Sequence, residues 1–90
     1  MAVYLITYDL NNESNRPPIV ERIRKWREHI RLSESSYAIV SQKSAHDVYK
    51  LFEDMIDEDD FIWIIPMHQP YAGYGPQETI DWLGKHLPFG

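Results

Sequence analysis

Ninety residues with 43% hydrophobic and 26% charged side chains make one ordinary globular domain, residues 1–90, and exclude a disordered or multidomain chain. The absence of cysteine excludes disulfides, thiolate metal sites and thiol nucleophiles. A net charge of −5 argues against indiscriminate binding to nucleic acid.

Residues 2–9 (AVYLITYD) alternate with period two, placing Val3, Leu5 and Thr7 on one face and Tyr4, Ile6 and Tyr8 on the other. Both faces are largely apolar, so a central strand is expected. No basic flank precedes this run, and no apolar stretch approaches the ~20 residues of a membrane span. The expectation is a cytoplasmic protein with no membrane partner. After the polar loop Leu10–Arg16, Pro17 and Pro18 suit a first helical turn, and Ile19, Ile23 and Trp26 recur at helical spacing. A helix over 17–27 is predicted, with Val20 beside the stripe. From Glu28 the stripe fails, and EHIRLSE followed by SYAIVS reads as a hairpin.

Ser44, with Asp47 three residues on, resembles a capping box. Val48, Leu51, Phe52, Met55 and Ile56 form the apolar face of the helix it opens, and the acidic turn Asp57–Asp60 ends it. FIWIIPM (61–67) is a strand, and Pro66, which cannot donate to a ladder, places it at a sheet edge. Beyond MHQPYAGYG, a short helix over 77–87 turns Ile80, Leu83 and Leu87 inward. The order β-α-β-β-α-β with a terminal helix predicts an α+β, ferredoxin-like domain. Its four-stranded antiparallel sheet carries two helices on one face. The other face, lined by one side of the first strand and one side of FIWII, is left bare and apolar, which implies a homodimer through the sheet.

Charge is segregated. Residues 16–31 hold six of the nine cations against two acids, a local +4 that leaves −9 for the remainder. Arg16, Arg22, Arg24, Lys25 and Arg27 are the candidate nucleic-acid contacts, able to steer an anionic partner despite the net sign. Two solvated helix faces would produce the same segregation.

The opening AVYLITYDLNN, with an Asp closing the strand after an aromatic, resembles the small CRISPR-associated family that partners the spacer integrase. The similarity to the SinR-like group of small bacterial proteins is closer, extending through ESSYAIVSQKSA and YAGYGPQETIDWL over nearly the whole chain. The resemblance implies a ferredoxin-like homodimer packed through its sheets. In the CRISPR-associated family it further implies either a metal-dependent nuclease or a scaffold on DNA.

Asp9 is the candidate catalytic and metal-binding residue. A carboxylate at the end of a central strand can hold Mg²⁺, which takes one or two carboxylates and keeps several waters. One Asp per chain is insufficient, but two could meet across a dimer axis. Alternatively Asp9 accepts backbone N–H groups of the LNNES loop in an Asx-type turn. Asp57–Asp60 lack calcium-loop spacing and read as a solvated helix end, and the four histidines form no zinc pattern. AGYGP (72–76) matches no nucleotide-binding fingerprint and reads as a tight turn laying Tyr71 and Tyr74 against the sheet. Three functions follow: a homodimeric binding or assembly module, a Mg²⁺-dependent nucleic-acid phosphodiesterase using paired Asp9, and an RNA-binding domain stacking bases on Tyr4, Tyr8 or Tyr37. The first is favoured, because each chain offers only one plausible ligand and no evident general acid or base.

Overall fold

The inner strand β1 (Ala2–Asp9) pairs antiparallel with β3 (Ser36–Ser41) on one side and β4 (Phe61–Met67) on the other, in a computed structural model describing residues 1–90. β2 (His29–Ser33) pairs outside β3, giving the order β2-β3-β1-β4. Helices α1 (Arg16–Ile23) and α2 (Ala45–Lys50) fill the two crossovers. This is the ferredoxin-like α+β arrangement that the element order predicts. β4, with Pro66, lies at the sheet edge as expected.

Register decides which face of β1 is core. Tyr4, Ile6 and Tyr8 stand level with Ile39 and Tyr37 of β3 and with Ile62 and Ile64 of β4. Ile19 and Ile23 of α1, with Val48 and Phe52, pack onto this row. A one-residue slip would turn every one of these side chains to the other face, so burial specifies the register strongly.

Helix α1 is shorter than its apolar spacing predicts. It ends at Ile23, because the next N–H groups tighten: Lys25 donates to Arg22 O at 3.2 Å and Trp26 to Ile23 O at 3.1 Å. Trp26 therefore reaches the core from a turn and stacks on Phe52, ring centroids 5.9 Å apart. The cap of α2 is as predicted, with Ser44 Oγ accepting from Asp47 N at 3.1 Å. That helix also stops early, at Lys50, and a short 3₁₀ turn (Glu53–Met55) carries the chain onward.

Helix α3 (Gln77–His86) changes the expected layering. It packs against β2 on the face opposite α1 and α2, where Leu32 shares a cavity wall with Thr79, Ile80 and Leu83. His86 Nε2 lies 2.9 Å from Glu28, and Gln69 N donates to Pro88 O at 2.7 Å, so both the helix end and the tail are tied down. Val3 and Ala38, which alternate to this face, are buried. The second sheet face is thus half covered rather than bare. Leu87 is buried but Ile80 is exposed, so the inward set of α3 differs from the predicted one.

Phe52→Ala should cost about 3–5 kcal/mol and the half-buried Trp26→Ala about 1–3 kcal/mol, because the cavity left behind scales with burial. Urea midpoints compared at constant m-value measure both. A Trp26→Ala loss equal to that of Phe52→Ala would contradict the placement of Trp26 in a turn.

Candidate functional site

Asp60, not Asp9, organises the loop after β1. Its side chain is buried, at 5% exposure, in contrast to the solvated acidic turn that the run Asp57–Asp60 implies. Oδ1 accepts from Asn11 N at 2.8 Å and Asn12 N at 3.1 Å. Oδ2 accepts from Asp57 N at 2.8 Å and Asn15 Nδ2 at 2.7 Å. Four donors satisfy a carboxylate that burial alone would penalise. These bonds, that from Asp57 N foremost, hold the Asp60 carboxyl below the ordinary carboxylate range. Asp57 Oδ2 adds Asn12 Nδ2 at 2.8 Å and Asn15 Nδ2 at 3.2 Å.

Asp9 is therefore relieved of the turn. It is exposed, and the backbone N–H groups of Asn11 and Asn12 go to Asp60 instead. Its register partner is Phe61, and the pairs Thr7–Trp63 and Leu5–Ile65 follow on the same face. Phe61, Trp63 and Ile65 are 58%, 63% and 46% exposed, forming an apolar strip along the edge strand where α3 does not reach. No three His, Asp or Glu side chains of one chain group closely enough to hold a metal ion. Asp9 supplies one carboxylate per chain, which by itself is short of a metal site.

The cations of residues 16–27 lie on the other side of the sheet and divide in two. Arg16 and Arg24 join Arg31 of β2 around a hollow of about 220 Å³, with Val20, Glu34 and Tyr37 completing its wall. Arg22 and Lys25 join Lys43 around a second hollow of about 190 Å³ floored by Trp26 and Leu51. Arg27 is exposed and lines neither. Asp9 and the basic residues are not brought together. Arg31, counted in the basic segment but not among the candidate contacts, and Lys43 are the contributors that the candidate set lacks. Hairpin pairing, which sets Arg31 opposite Tyr37, is the signal that locates the first of them.

Tyr4, Tyr8 and Tyr37 are all buried on the helix side and cannot stack a base. The rings that do face solvent on the sheet are Phe61 and Trp63. Tyr71 lies beside α3, its hydroxyl against Gly84, and Tyr74 is fully exposed rather than packed on the sheet. No helix is long and apolar enough to cross a membrane. No family model matches the chain, and no solved structure matches it.

Asp60 makes stability depend on acidity in one direction. Its lowered folded-state pKa contributes stability above the ordinary carboxylate value, near pH 4, that is lost as pH falls through the lowered one. Asp60→Asn should lower the urea midpoint at neutral pH and flatten its decline in acid. A variant whose midpoint falls with acid as steeply as the wild type would show that another carboxylate carries the dependence.

Proposed function

We propose that this chain is a homodimeric binding and assembly module, joined to a second copy through the open half of its second sheet face. The observation that carries this reading is the row Phe61, Trp63 and Ile65 on an edge strand. Edge strands in monomers are usually blunted by charges, proline or cover. β4 has no charged side chain from Phe61 to Met67, and Pro66 is its only guard. A second copy is the occupant that fits. A two-fold axis sets an identical uncharged strip against this one, although each chain carries −5, and the one charge at its border is Asp9 beside Phe61. Leu5 and Thr7, half-buried beside the strip, extend the surface.

Light scattering should give twice the 10.7 kDa chain mass at micromolar concentration. Trp63→Lys should return a folded monomer, since the side chain is solvent-facing in one copy and buried only between two. A wild-type mass of 10.7 kDa at every concentration tested would contradict this assignment.

A second reading, a Mg²⁺-dependent phosphodiesterase, is favoured by the exposed and unengaged carboxylate of Asp9 beside Phe61. A dimer built on the strip would turn both Asp9 side chains toward the same interface. Mg²⁺ held there would polarise a phosphodiester and activate water. A nucleic-acid strand gripped by the cations of residues 16–27 would have to pass around the end of the sheet to reach it. Under this reading Asp9→Asn abolishes both divalent-dependent cleavage of an oligonucleotide and the rise in melting temperature with Mn²⁺, while dimer mass persists. Cleavage that survives Asp9→Asn, or that continues in chelator, rejects the reading.

A further inference from the structure

A cavity of about 560 Å³ opens between β2, α3 and the segment that leads into α3, and no residue of β4 lines it. Its volume falls within the ~300–1000 Å³ of sites that enclose a small ligand. Leu32 of β2 and Ile80 and Leu83 of α3 form its apolar side. Tyr71 and Tyr74 bring two aromatic rings to it, both exposed. None of the lining residues is charged, although 26% of the chain is.

The backbone that carries the two rings is open. From Tyr71 to Gly75 no N–H or C=O makes a hydrogen bond within the chain. Gly73 and Gly75 stand in this segment and line the cavity. Neither has a positive φ, so conformation does not call for glycine at either position. Crowding does not call for it either, since a Cβ on either residue would meet nothing within 4 Å. What the two bare positions do is leave the peptide groups around them free to be approached closely.

We propose that this cavity binds a small molecule through an uncharged planar heteroaromatic ring, held against Tyr71 and Tyr74 and hydrogen-bonded to the open backbone of residues 72–75. The wall selects this class against two others. A charged ring would give up its water and find no opposite charge in the lining. A hydrocarbon would cover the peptide groups without bonding to them, and each polar group so stripped of water costs free energy. A neutral ring with donors and acceptors on its edge avoids both penalties, and its faces stack on tyrosine. Because β4 contributes nothing to the lining, the site stands apart from the strip and does not rest on dimer formation.

Amide chemical shifts of the full chain, followed during titration with adenosine, uridine, indole, toluene and benzoate, test the assignment. At least one of the first three should give saturable shifts centred on Leu32, Leu83 and residues 72–75. Toluene, which lacks a polar edge, and benzoate, which is charged, should bind at least about tenfold more weakly than that ring. Gly73→Ala combined with Gly75→Ala should weaken its binding about tenfold. The urea midpoint of this variant should be unchanged or higher, because the added methyl groups fit the free chain and restrict the unfolded one. Tyr74→Ala, at a fully exposed position, should weaken binding severalfold at an unchanged midpoint. The proposal is overturned if none of the three heterocycles saturates below about 10 mM, or if the shifts centre on Phe61 and Trp63. Toluene or benzoate binding as tightly as the best heterocycle overturns it, as does either variant binding as tightly as the wild type.

Discussion

A single buried carboxylate, that of Asp60, sets where both candidate surfaces begin. It gathers donors from Asn11, Asn12 and Asn15 across half the chain, and one from Asp57 beside it. Phe61 follows Asp60 directly and opens β4, while Arg16 follows Asn15 and opens α1. The clamp therefore holds the start of the apolar strip and the start of the basic stripe to one point. Bonds to an ionised acceptor are shorter and stronger than neutral ones, and such a carboxylate leaves little freedom to the loop it satisfies.

From that point β1 sends alternate residues to different tasks. Tyr4, Ile6 and Tyr8 enter the core under the helices, and Leu5, Thr7 and Asp9 face the half-open side. Tyr8 and Asp9 are adjacent in the chain, yet one is buried beneath the Arg16 guanidinium and the other borders the strip of β4. Strand periodicity alone produces this separation. It explains why the acid and the cations, close in sequence, do not form one site.

The elements that were legible in the sequence are those decided locally. Strands β3 and β4 stand at 36–41 and 61–67, where alternation and Pro66 place them, and the Ser44 cap needs only a neighbour three residues away. The end of α1 was not legible, because Trp26 keeps helical spacing from Ile23 whether the turn between them is α or 3₁₀. An amphipathic α3 shows that one face is buried without telling against which side of the sheet, so its cover of β2 is not legible in the sequence. Asp60 could not be told from Asp57, Glu58 or Asp59, since its burial depends on partners more than forty residues away. The arginine hollow needed the pairing of Arg31 with Tyr37, a fact of register rather than of composition.

The meeting of two copies across β4 is tested most directly by isotope-filtered NOEs in an equimolar mixture of labelled and unlabelled chain. Cross-peaks between copies should join the side chains of Phe61, Trp63 and Ile65 to one another and to Leu5. An empty filtered spectrum at those positions, or cross-peaks confined to α1 and α2, would contradict assembly through this face.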